Sequence, residues 1–147
     1  MKKLSRDSNE LIFRVLFSSI FLGLGGEHIF DDRLIQNLMP AALPIPRVFS
    51  VLAGLVLLTG GSMVLVGYRI RTAARILGAF LVVVTLTVHL PAVFLPCPPM
   101  PAESEWMWTI LQRSNLVKNI CLLGVCFLLN DHALGAYSVD RWRQPKA

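Results

Sequence analysis

Four long apolar runs, almost free of charge, constrain this chain more than any other feature. They cover residues 11–30, 48–68, 73–95 and 114–130. At about 1.5 Å of rise per residue, each is near the length a helix needs to cross about 30 Å of hydrocarbon. Lipid offers the backbone no water partners, so a spanning segment must satisfy its own hydrogen bonds as a helix. A β-barrel does not fit, because the runs are too long and do not alternate polar with apolar. Composition agrees: 54% of the 147 residues are apolar and 16% are charged, against about 25% charged in an ordinary soluble domain. That excludes a disordered chain and leaves too little polar surface for a water-soluble globule. The predicted fold is all-α: an integral membrane bundle of four transmembrane helices. It forms one domain, residues 1–147, with outer segments 31–47 and 96–113.

The loops assign an orientation. Lys2, Lys3 and Arg6 precede the first run, Arg69, Arg71 and Arg75 join the second to the third, and Arg141, Arg143 and Lys146 follow the fourth. By the positive-inside rule these segments, and so both termini, are cytoplasmic. The other two loops carry Arg33, Arg47 and Arg113 with Asp31, Asp32, Glu103 and Glu105. The net charge of +5 is therefore topological; the basic residues form no stripe for nucleic acid. Arg14 interrupts the first run, which reads as a retained span rather than a cleaved signal peptide, although Gly23-Leu24-Gly25 is a small-x-small pattern. Residues 103–112 read as a short helix on the membrane, with Trp106 and Trp108 as an interfacial anchor. A multi-pass cell-membrane protein follows, with a bacterial inner membrane as the expected location.

Given that topology, the polar residues inside the runs reach a similar depth near the outer end. Glu27 and His28 end the first span, and Arg47 sits at the mouth of the second. His89 lies late in the third, and Asn115, Lys118 and Asn119 open the fourth. Ionisable groups in a span are costly and usually face the bundle interior. Helical spacing puts Asn115, Lys118, Asn119, Leu122 and Cys126 on one face, and Gly78, Val82, Thr85 and His89 on another. Arg14, Ser18, Phe21, Gly25 and His28 share a stripe on the first span. Glu27 points about 100° away from His28. Glycines 23, 25, 26, 54, 60, 61 and 67 are candidates for close helix contacts.

Each group has a structural reading beside the ligand-binding one. Lys118 reaches for outer headgroups, and Arg14 snorkels to inner lipid phosphate. His28, His89, Asn115 and Asn119 bond between helices, and Glu27 neutralises Lys118 or Arg47. A metal site is not expected: Glu27-His28 are adjacent and no His-x-x-x-His or Glu-x-x-His spacing exists. Cys97, Cys121 and Cys126 form no Cys-x-x-Cys motif; the last two read as small apolar packers, and Cys97 as the one thiol to test for reactivity.

The order of these features resembles the DoxX-like membrane proteins. The resemblance rests on Arg14 and Gly25-Gly26-Glu27-His28 in the first span, and on the glycine-rich stretch Gly54–Gly67 with its basic turn and Ala73-Ala74-Arg75. The late His89 and Asn115 to Asn119 complete it. It covers about residues 11–130 and implies a four-helix membrane bundle. It also implies kinship with small subunits of quinone-linked oxidoreductases, such as thiosulfate:quinone oxidoreductase, and of redox-stress complexes. The chain shows no separate soluble domain, so a complete dehydrogenase is not expected from it alone.

Two functions follow as expectations. In the first, the chain is an accessory subunit of a membrane oxidoreductase, working with a redox protein partner. Glu27, His28, Arg47, His89, Asn115, Lys118 and Asn119 would then surround a quinone or small anion near the outer leaflet; no catalytic residue is assigned. In the second, the chain is a non-catalytic membrane scaffold whose polar residues only set helix register. A transporter fits less well, since no inverted repeat or pair of broken helices is evident.

Overall fold

Ser5 starts the first helix by accepting a hydrogen bond from Ser8 N at 3.1 Å, and α1 runs Arg6–Phe30. In this computed structural model, which describes residues 4–39, 44–97, 101–132 and 134–144, the other elements follow in order. They are α2 (Arg33–Leu38), α3 (Pro46–Val66), α4 (Ile70–Val84), a π-helical turn (Thr85–His89), α5 (Leu90–Phe94), α6 (Ala102–Leu129) and α7 (Val139–Trp142). Every regular element among the described residues is helical. Among the described residues, three stretches are long and apolar enough to cross a membrane: Arg6–Phe30, Pro46–Val66 and Ile70–Phe94.

Two differences from the sequence reading bear on function. The third span does not run as one regular helix. Pro91 has no N–H to give Thr87 O, and its ring would crowd that carbonyl. The helix widens just before it, so that Leu90 N donates to Thr85 O, and α4, the π-turn and α5 continue as one rod. The second difference is α6. The expected break between a surface helix at 103–112 and a span at 114–130 is absent: one helix of 28 residues covers both. Nothing in the segment stops a helix once Pro101 has been passed, because Glu103 and Glu105 suit a first turn.

The long helices pack in sequence order, α1 on α3, α3 on α4 and α4 on α6. Their shared core is Phe17, Phe21, Leu57, Val64, Ala73, Ala74, Leu77, Leu81, Cys126 and Leu129. Small residues permit the close approach. A Cβ on Gly60 would stand 2.6 Å from Leu77 Cδ2, one on Gly54 2.9 Å from His28 Cβ, and one on Gly25 2.8 Å from Leu58 Cγ. Gly23 and Gly26, expected to do the same, face open space. On α4 the inward position is Leu81, not the expected Val82, which is exposed. Large apolar side chains such as Leu55, Val117, Ile120 and Phe127 point outward, a surface suited to lipid and a liability in water.

The start of α1 and the segment before α7 meet at one end of the bundle, called the near end below. Ala136 N donates to Asp7 Oδ1 at 2.9 Å. Arg14, expected to snorkel, is instead fully buried. Its Nε lies 2.8 Å from Glu10 Oε1, while Nη1 donates to Leu65 O at 2.9 Å and Nη2 to Tyr137 O at 2.7 Å. One guanidinium thus joins α1, the carbonyl end of α3 and the C-terminal segment. The α3 end has carbonyls without helical partners and a partial negative charge, so a buried cation is well used there.

Gly67 closes α3 in the left-handed region (φ 67°), with Gly67 N bonding to Val64 O and Tyr68 N to Met63 O. A Cβ there would stand 2.5 Å from Ser138 Cβ and 2.6 Å from Arg14 Nη1. Gly67→Ala is expected to cost about 1–3 kcal/mol and to loosen the C-terminal segment. Limited proteolysis checks this: residues 134–144 should be cut faster in the variant than in the wild type.

Candidate functional site

Away from the near end, the bundle holds a partly open apolar cavity of about 420 Å³, with Phe49, Leu52 and Val83 of its lining exposed at the mouth. Its walls are Phe21 and Leu24 of α1, Leu52, Ala53, Val56 and Leu57 of α3, Phe80, Leu81 and Val84 of α4, and Leu122 of α6, with Ile35 of α2 at one side. His28, His89, Asn115, Lys118 and Asn119 supply the main polar lining. A cavity of this size, mostly apolar with a few convergent polar groups, is the usual form of a small-molecule site. Long helices α1, α3, α4 and α6 contribute to it at the same level, and the π-turn carries His89 into its lining. Single π-turns inside α-helices are frequent at functional sites.

The polar groups are held from behind. His28 Nδ1 lies 3.0 Å from Ser50 Oγ, tying α1 to α3. His89 Nδ1 donates to Gln112 Oε1 at 2.8 Å, tying the π-turn to α6. With Nδ1 protonated, a neutral His89 keeps Nε2 as an acceptor. Lys118 Nζ donates to Asn115 Oδ1 at 2.8 Å within α6, and Asn119 Nδ2 donates to Thr85 Oγ1 at 3.2 Å. Asn119 is buried and Lys118 partly buried.

Five of the seven residues singled out in the sequence therefore line one cavity. Glu27 and Arg47 do not. Glu27 is exposed, in keeping with its angular offset from His28, and among the described residues it forms no ion pair with Lys118 or Arg47. Arg47 is half exposed and binds elsewhere: Nη1 lies 2.5 Å from Asp32 Oδ1, and Nη2 donates to Ile29 O at 3.1 Å. This pair fastens the loop after α1 to the start of α3. Sequence reasoning missed Gln112 and Ser50, and named Thr85 only as sharing a face with His89. Gln112 continues the Asn115–Asn119–Cys126 stripe one turn earlier, a signal lost by treating residue 112 as part of a separate surface helix. Ser50 carried no such signal.

The Arg47 guanidinium beside Asp32 holds its carboxyl well below the ordinary 3.8, at about 2. The stabilising effect of a depressed carboxylate is complete above the unfolded value and is lost as pH falls through the folded one. Asp32→Asn should therefore lower thermal stability at neutral pH, with the difference from wild type shrinking below about pH 4 and vanishing below about pH 2. Thermal unfolding of both proteins across that range measures it. Cys97, Cys121 and Cys126 are free thiols, and burial pushes the Cys97 thiol up from its ordinary value, away from a reactive thiolate.

Among families of known proteins, the model described as DoxX matches residues 10–90. That stretch holds α1 from Glu10 onward, α2, α3, α4 and the π-turn with His89, and so all of the cavity except the α6 wall. No curated protein and no solved structure matches the chain.

Proposed function

The chain belongs to the DoxX family, and from that premise we propose that it is a membrane subunit whose cavity takes a quinone for a partner oxidoreductase. In this reading α6 is the fourth span, both termini are cytoplasmic, and the membrane is a bacterial inner membrane. The observation that carries the reading is the cavity itself: an apolar chamber of about 420 Å³ lined by His28, His89, Asn115, Lys118 and Asn119. Five polar side chains from three separate helical stretches are more than helix register needs at one level.

The residues fit a quinone ring. The aromatic and aliphatic walls, among them Phe21, Leu57, Phe80 and Leu122, match an apolar ring and the start of its tail. The Lys118 ammonium is the charge-assisted donor for one ring oxygen, worth about twice a neutral hydrogen bond. His89 Nε2 is an acceptor, placed to take a proton from a ring hydroxyl, while Gln112 fixes the Nδ1 proton behind it. A bound quinone supplies two-electron chemistry, and the protein supplies orientation, water exclusion and a proton acceptor at Nε2.

Lys118→Ala should weaken quinone binding roughly 10- to 100-fold, the value of one charged hydrogen bond. Titration of the purified chain with a short-tailed quinone, followed by intrinsic Trp fluorescence, measures it. Unchanged affinity overturns the assignment of Lys118.

The scaffold reading has one observation in its favour. His28, His89, Lys118 and Asn119 each already bond to a protein group: Ser50, Gln112, Asn115 and Thr85. If the polar groups only set register, Lys118→Ala changes stability and leaves quinone binding absent in both proteins. A partner that survives mild crosslinking with Lys118→Ala, and is lost on deleting residues 97–112, supports the scaffold.

A further inference from the structure

A second cavity, about 820 Å³, lies at the near end, away from the quinone chamber, and is lined by arginines from two distant segments. Arg69 and Arg71 come from the α3–α4 turn and the first turn of α4, and Arg141 and Arg143 from α7 and the residue that caps it; His132 and Asp140 also line the wall. The two segments are clamped together. Arg69 N donates to Asp140 Oδ2 at 2.6 Å, and Asp140 N donates to Gly67 O at 3.1 Å. The carboxylate in the cavity is thereby committed to a backbone amide.

None of the four arginines forms an ion pair among the described residues. Two are oriented by the Tyr68 ring, with the Arg69 and Arg143 guanidinium carbons 5.6 and 5.0 Å from its centroid. Arg141 Nη1 reaches only Gln144 Oε1, at 3.3 Å. Four fork-shaped donors around one open space outnumber its one carboxylate and match the oxygens of a phosphate group.

We propose that this cavity binds a phosphate group, carried by an anionic phospholipid headgroup or as free inorganic phosphate. Its place at the ends of membrane-length helices favours the lipid. Trp142 beside it is largely exposed, with its indole N–H bonded to Ala136 O at 2.8 Å, so that its ring is free to lie among headgroups. The site would seat the C-terminal segment on the membrane surface, independently of what the apolar chamber takes.

The test is native mass spectrometry of the full chain released from nanodiscs of mixed phosphatidylcholine and phosphatidylglycerol. The wild type should retain phosphatidylglycerol in preference to phosphatidylcholine. The double variant Arg71→Gln, Arg143→Gln should bind it roughly 30-fold more weakly, at about 1 kcal/mol per cation. Arg33→Gln with Arg113→Gln, which removes equal charge elsewhere, should match the wild type. Millimolar inorganic phosphate separates the sources: displacement of the lipid identifies free phosphate as a ligand, and retention identifies the headgroup. Both phosphate results require the loss in the double variant. All four arginines are exposed, so circular dichroism should show the variants folded. Equal retention of both lipids by the wild type, or full retention of phosphatidylglycerol by the double variant, overturns the proposal.

Discussion

Arg14→Ala is expected to cost about 3–5 kcal/mol, the usual effect of removing one partner from a buried ion pair. The variant leaves the Glu10 carboxylate, only 6% exposed, without its cation. It also strands the Leu65 and Tyr137 carbonyls that the guanidinium serves. The loss should be visible as a lower unfolding midpoint in detergent and as early release of the C-terminal segment. Glu10→Gln with Arg14→Met should recover much of the loss, because neutral replacement of both charges removes the stranded carboxylate. The two single variants and the double form a cycle, and a coupling energy near zero would mean that the pair is not a unit.

Ala53→Phe is the second large effect, and it acts on function rather than stability. Ala53 is an apolar wall of the cavity proposed to take a quinone, and no polar contact involves it. A phenyl group there fills space without unpairing His28, His89 or Lys118. Quinone affinity should fall on the order of 100-fold, about 2.7 kcal/mol. Stability should change by less than about 1.5 kcal/mol, since the side chain enters an existing void. A chamber that is only imperfect packing gives the opposite pattern: filling it stabilises the fold and alters no binding.

The helical, membrane-spanning character of the chain was readable from the spacing of apolar runs. So was the meeting of His28, His89, Asn115, Lys118 and Asn119, because a topology argument converts positions along four runs into depth. What the sequence could not supply was the third dimension of each contact. Arg14 reads as a snorkelling residue when only its distance from the helix end is known. Its burial depends on Tyr137, a partner 123 residues away. Arg47 and Glu27 lie at the right depth for the site and on the wrong side of their helices. The π-turn before Pro91 shifts the face of the third span, and straight 3.6-residue spacing put Val82 inward where Leu81 is found. The continuity of α6 was hidden by its polar first half, which reads as surface. That same continuity is what delivers Gln112 to His89.

The chamber as a quinone site is tested most directly by photolabelling. The wild-type chain in its own membranes is irradiated with an azidoquinone and the adducts are mapped by mass spectrometry. The account predicts label on chamber-lining residues such as Ala53, Val88 and Leu122, suppressed by excess unlabelled quinone and absent in Ala53→Phe. Label spread over outward-facing residues such as Val117 and Phe127, indifferent to competition, would contradict it.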